Sequence, residues 1–114
     1  MRFRSFCFAA ITSAAASAQP KIGWSSWNAF KVHINEQIIC RQAFLLDSLG
    51  LKDAGYTFVN IDDGFFGRRP TPTTIEANVA KFPNGMRVLT DYVHSLGLTA
   101  GISPGAGPRP CGSI

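Results

Sequence analysis

Two copies of one four-residue pattern, Ser48-Leu49-Gly50-Leu51 and Ser95-Leu96-Gly97-Leu98, each close a stretch of helical periodicity and lead toward a run with strand character. No other feature limits the possible folds as much. Before the first copy, Ile38, Ile39, Ala43, Leu45, Leu46 and Leu49 recur at helical spacing behind Asn35, an N-cap residue type, which predicts a helix from about Glu36 to Leu49. Before the second, Met86, Leu89, Val93 and Leu96 fall on one stripe of a helix opened by Asn84 or Gly85. A glycine just past the last periodic residue ends each helix.

Three short apolar runs frame these helices: Lys21 to Trp24, Tyr56 to Ile61, and Leu98 to Ile102. The middle run is rich in aromatic and β-branched residues, as a strand buried on both faces would be. Strands that alternate with helices imply parallel pairing through right-handed crossovers. The fold class is therefore α/β, with β-α-β-α-β order and no second domain. Such a run opens either a doubly wound sheet or a (β/α)8 barrel. Three parallel strands leave sheet edges open and a barrel takes about 250 residues, so the expectation is the N-terminal portion of a larger, truncated barrel or sheet. From Gly64 to about Pro83, a stretch holding Pro70, Pro72 and Pro83, a long loop is expected.

The first residues, MRFRSFCFAAITSAAASAQ, carry the three parts of a secretory signal: Arg2 and Arg4, an apolar core from Phe6 to Ile11, and small residues ending Ala16-Ser17-Ala18. Residues 1–18 are expected to be removed, leaving a secreted or periplasmic domain of residues 19–114. The apolar core is too short for a membrane span, which takes about 20 apolar residues. Taking Arg2 and Arg4 from the eleven basic residues leaves nine against seven acids, and no basic run exceeds Arg68-Arg69. A nucleic-acid partner is not expected from so even a balance. With Cys7 gone, Cys40 and Cys111 are too few for a disulfide-stapled scaffold. Cys40 reads as a small buried apolar group within the first helix.

The chemistry-bearing stretch is VNIDDGFFGR, residues 59–68, in which a strand runs straight into Asp62 and Asp63. In parallel α/β folds the loops after the strand ends meet the ligand. Asp63-Gly64 is also an ordinary turn signal, with Asp62 free to cap a backbone amide. As metal ligands the pair would need partners, and only His33 and His94 exist; His94 sits in a last helical turn, an ordinary place for a surface histidine. As a general acid and base the two would have to stand about 5 to 9.5 Å apart across a scissile bond, whereas adjacent strand residues splay. Acceptors for neighbouring sugar hydroxyls need only be close, rigid and ionised, and this role fits the local geometry best. Trp24 and Trp27 at the first strand's end and Phe65-Phe66 after the acids would supply apolar ring surface on the same rim, as carbohydrate sites commonly do. Trp24 reads equally as a core residue, Trp27 less so among Ser25, Ser26 and Asn28.

Five blocks then resemble the start of the α-galactosidase (melibiase) family of glycoside hydrolases: residues 22–30 (IGWSSWNAF), 50–56 (GLKDAGY), 59–64 (VNIDDG), 81–86 (KFPNGM) and 91–98 (DYVHSLGL). The resemblance spans nearly all of residues 19–114. It implies a retaining glycosidase acting on terminal α-linked galactose, whose catalytic (β/α)8 barrel precedes a small β-sandwich. By motif, Trp27 resembles the sugar-stacking tryptophan, and Asp62 and Asp63 the paired acids that accept from galactose hydroxyls. The resemblance implies a galactose-containing oligosaccharide or polysaccharide as partner and no metal or other cofactor. The family's two catalytic aspartates are expected beyond Ile114, so the 114-residue chain alone is expected to be inactive. Cys111 matches a cysteine that pairs with one just after the nucleophile, a partner missing here. Ser103 and Gly105 stand where the family usually has a tyrosine and an aspartate. A non-catalytic galactose-binding or decayed chain, and an enzyme acting on β-L-arabinopyranosides, remain open alternatives.

Overall fold

The structure is a computed structural model and describes residues 20–71 and 73–104. In chain order the elements are β1 (Ile22–Ser25), α1 (Trp27–Phe30), α2 (Glu36–Ser48), β2 (Tyr56–Ile61), β3 (Phe66–Thr71), β4 (Thr74–Ala77), α3 (Gly85–Ser95) and β5 (Thr99–Ile102). The expected signal segment, residues 1–18, and Cys111 and Gly105 lie outside the described residues.

Strands β1, β2 and β5 form one sheet in the order β1-β2-β5, with both pairings parallel. Each crossover contains a long helix, as the alternation of the sequence requires. Asn35 caps α2 by accepting a hydrogen bond from the Ile38 amide at 2.9 Å, so one of the helix's otherwise unpaired N-terminal donors is satisfied. At the other ends, Gly50 and Gly97 adopt φ of +76° and +75°, the left-handed turn that lets the chain leave a helix and re-enter the sheet. The α3 end closes with paired bonds from Gly97 N to His94 O (2.9 Å) and Leu98 N to Val93 O (3.3 Å). In α2 the second bond comes from Lys52 N to Leu46 O instead, at 2.8 Å. Lys52 Nζ then reaches Asp47 Oδ1 at 2.5 Å and the Leu96 carbonyl at 2.8 Å, tying the ends of α2 and α3 together.

The core lies between the sheet and the two helices. Val59 and Ile61 of β2 pack with Ile39, Ala43 and Leu46 of α2 and with Leu89 and Val93 of α3; Ile34, Phe65, Phe82 and Leu98 complete the cluster. The expectation of a strand buried on both faces is corrected here. Among the described residues only the face bearing Val59 and Ile61 is closed by helices, whereas Phe58 and Asn60, which alternate with them, are half-buried on the opposite face.

The expected long loop from Gly64 to Pro83 is also corrected, because β3 and β4 form an antiparallel ribbon in register Phe66↔Ala77, Arg68↔Glu76 and Thr71↔Thr74, with irregularities between these pairs. Both strands of a two-stranded ribbon are edges, so Pro70 can sit there without removing a donor from a ladder on both sides.

Candidate functional site

The site stands where β1 and β2 end side by side. Their register pairs Trp24 with Val59 and Ser25 with Asn60, so Ser25 and Asn60 share the open face of the sheet. Asp62 follows Asn60 by two residues and emerges at the same end. Its Oδ2 accepts from Ser25 Oγ at 3.0 Å and from Asn60 Nδ2 at 3.4 Å; its Oδ1 accepts from the Asp63 amide at 2.9 Å. The Asp62 amide donates to Ser26 Oγ at 2.9 Å, and Ser26 is fully buried. Asn60 is itself oriented, since Ser103 Oγ donates to its Oδ1 at 3.0 Å while its Nδ2 also donates to Ser25 Oγ at 3.3 Å. The Ser103 amide completes the edge by donating to the Ile61 carbonyl at 3.0 Å.

This network holds the Asp62 carboxylate through both oxygens and leaves it half-buried, with lone pairs to spare, because each carboxylate oxygen can accept more than one hydrogen bond. Asp63 differs: it is 2% exposed, so a ligand arriving at the rim reaches Asp62 first. The adjacent acids therefore occupy different environments, as successive residues leaving a strand do. Gly64 follows at φ +96°, and a Cβ there would stand 2.7 Å from Val32 Cα. Only glycine permits the chain both that turn and that approach.

Trp27 begins α1, directly after the serine that binds the Asp62 amide, and is half-buried. Lys31, whose own φ is +51°, places its ammonium 5.3 Å from the centre of the Trp27 ring, covering the ring on that side. The other aromatics divide. Trp24 packs edge-on against Phe30 at 6.1 Å and against the core, yet stays half-buried and lines a recess of about 350 Å³ together with Ser25, Asn60 and Ser103. Phe65 is in the core at 6% exposure, and half-buried Phe66 meets it edge-on at 5.8 Å. The expected aromatic rim thus loses Phe65 to the interior, while Trp24 both packs on the core and faces the recess. The Asp62 amide bonds Ser26, the residue directly before Trp27, so the starts of the two loops meet there, while exposed His94 lies on α3. Ser25, Asn60 and Ser26 were not singled out by sequence reasoning. Nothing in a run of serines shows which carboxylate it will meet until the register of two strands is known.

A second recess of about 390 Å³ lies between the start of α2 and the segment before α3, lined by Glu36, Cys40, Lys81 and Asn84 among others. Cys40 is half-buried in its wall as a free thiol, packed against the core on one side and facing the recess on the other, where a buried apolar group was expected. Burial, and secondarily the Glu36 carboxylate, push this thiol's pKa up.

Comparison with known proteins gives one consistent result. The family profile described as Alpha galactosidase A (melibiase) matches residues 19–114. Alpha-galactosidase A of Cellvibrio japonicus is 40% identical over 111 residues, covering 90% of this chain and 28% of the relative. The crystal structure of α-galactosidase I from Mortierella vinacea superposes with a TM-score of 0.77 at 42% identity, over 82% of this chain and 24% of that one. The Saccharomyces cerevisiae α-galactosidase solved with raffinose superposes at 0.77 with 34% identity, over 82% and 21%. The chain spans about a quarter of the length of the curated relatives it matches.

Proposed function

The chain belongs to the alpha-galactosidase A (melibiase) family, its sheet and helices being the β-α-β-α-β portion of that family's (β/α)8 barrel, and from this premise we propose that the protein carrying it is a retaining glycoside hydrolase releasing terminal α-linked galactose. In this reading Trp27, Asp62 and Asp63 hold the sugar. The observation that supports it most is the state of Asp62, a carboxylate fixed through both oxygens yet still half-open at the end of a parallel strand. An acceptor already ordered loses little further freedom when a sugar hydroxyl arrives. Trp27 offers apolar ring surface to the C–H face of the sugar, with the Lys31 ammonium on one side of the ring.

The chemistry of such an enzyme is double displacement. One carboxylate attacks the anomeric carbon as a second group protonates the departing oxygen, and water then releases the sugar from the enzyme. Asp62 and Asp63 orient the substrate in this scheme and break no bond. A raffinose complex of the yeast relative supports an α-galactoside as the substrate class. Residues 1–18 act, in the same proposal, as an export signal. Among the described residues no helix is long and apolar enough to cross a membrane.

The test is hydrolysis of aryl galactosides by the full-length product of the encoding gene. Turnover of the α-anomer and not the β-anomer is expected, with Asp62→Asn raising KM about ten- to hundredfold through loss of charged acceptors. An unaltered KM in Asp62→Asn would remove that residue from the sugar site, and absence of α-galactoside turnover would remove the activity.

A further inference from the structure

Lys81 does something that neither its position in the sequence nor the proposed sugar contacts require. Its Nζ donates to the Val32 carbonyl at 2.6 Å and to the Gly64 carbonyl at 2.8 Å. Val32 ends the turn that begins with Trp27; Gly64 follows Asp63. The rest of the lysine is anchored too. Its amide donates to the Asn78 carbonyl at 3.1 Å and to Asn78 Oδ1 at 3.2 Å, and its carbonyl accepts from the Glu36 amide at the start of α2 at 3.0 Å.

We infer that Lys81 is a positioning residue of the site: its ammonium joins the loop carrying Trp27 to the loop carrying Asp62 and Asp63 and so sets the spacing between the aromatic face and the carboxylates. The inference rests on the proposed sugar site for its functional meaning, and on the geometry alone for the joint itself. Two observations carry the joint independently. The lysine bonds one carbonyl from each loop, and at the same place the loops are in contact, since Gly64 has no room for a Cβ against Val32. A lysine suits the task because an ammonium offers three donors and no acceptor, so it can bridge two carbonyls that could not bond each other. Hydrogen bonds from an ionised donor are roughly twice as strong as neutral ones. Neither loop segment at the joint is held by a sheet ladder, so its loss would leave strands and helices intact while freeing the two halves of the site to shift.

Two readouts test this. Trp24→Phe leaves Trp27 as the remaining tryptophan of the two in this chain. In that background Lys81→Met is expected to raise acrylamide quenching of Trp27 about twofold, as for a loop whose local opening has become easier, with the far-UV circular dichroism unchanged. Lys81→Arg, which keeps the charge and reach, should stay near the parent. In the full-length gene product, Lys81→Met should lower kcat/KM for an aryl α-galactoside about ten- to hundredfold, mostly through KM, with recovery in Lys81→Arg. Should Lys81→Met lose its far-UV signal, Lys81→Gln, which retains one donor group, is judged by the same two quantities. Parent-like Trp27 quenching in the folded variant overturns the joint. Altered quenching with parent-like kinetics overturns its role in the site. A parent without galactosidase turnover defeats the proposed activity instead, and the quenching measurement still decides on Lys81.

Discussion

Ser25 donates its hydroxyl proton to Asp62 Oδ2 at 3.0 Å, across the seam between two parallel strands and 37 residues along the chain. The bond links the residue just before the α1 turn to the acid that would meet the sugar. Ser25→Ala leaves Oδ2 with the longer Asn60 bond alone, at 3.4 Å. Hydrogen bonds to charged groups contribute about 1.5–3 kcal/mol, and part of that should appear as a roughly tenfold rise in KM for an α-galactoside, with kcat less affected. Equal KM values in parent and variant would show that Asp62 is oriented without Ser25.

Two glycines with similar backbone angles should respond differently to a methyl group. At Gly50, φ is +76° and an added Cβ meets nothing within 4 Å, so Gly50→Ala carries only the left-handed strain, about 1–2 kcal/mol. At Gly64 the added Cβ would stand 2.7 Å from Val32 Cα and 3.0 Å from its carbonyl oxygen, which are backbone atoms that cannot rotate aside. Gly64→Ala should therefore cost about 2 kcal/mol more than Gly50→Ala. Urea midpoints of the two variants decide; similar values would mean that the Val32 loop gives way freely.

Asn35 caps α2 through its side chain, whereas Asn84 makes no such bond at the start of α3 and binds the Glu36 carboxylate instead, at 2.9 Å. Asn35→Ala should destabilise the protein by about 1 kcal/mol through an orphaned helix donor. For Asn84→Ala about 0.5 kcal/mol is expected, since the partner contact is exposed. The order of the two thermal midpoints is the observable.

Cys40 should be a slow thiol. Burial and then Glu36 raise its pKa, so at neutral pH it stays protonated and iodoacetamide should modify it more slowly than the same residue in urea. Because the folded form holds this proton to higher pH than the unfolded form, the linked stability is present at neutral pH and falls as pH rises through the ordinary thiol range. Glu36→Gln should speed alkylation at mildly alkaline pH. A rate in the native protein equal to that in urea would contradict the shift.

What the sequence determined by itself is local. The cap at Asn35, the two glycine stops and the extent of both long helices within about a residue follow from side-chain types at fixed spacing, because each is decided within a few residues of backbone, and the parallel pairing follows from the alternation of strands with helices. Asp62 and Asp63 could likewise be placed at a strand end and Trp27 just past another. What only the tertiary structure decided depends on partners distant in sequence. An apolar run such as Tyr56 to Ile61 has the same composition whether one face or both are covered, and only the helices packed against Val59 and Ile61 show which. Pro70, Pro72 and Pro83 read as marks of a loop because the ribbon partner of β3, which makes Phe66–Thr71 a strand, cannot be read from β3 alone. The identical Ser-Leu-Gly-Leu endings even close differently, through Leu98 in one case and Lys52 in the other. Ser25, Asn60 and Lys81 entered the site for the same reason. A hydrogen bond needs two groups within about 3 Å, and for residues far apart in the chain that distance is set by strand register and loop packing, which no single stretch of sequence contains.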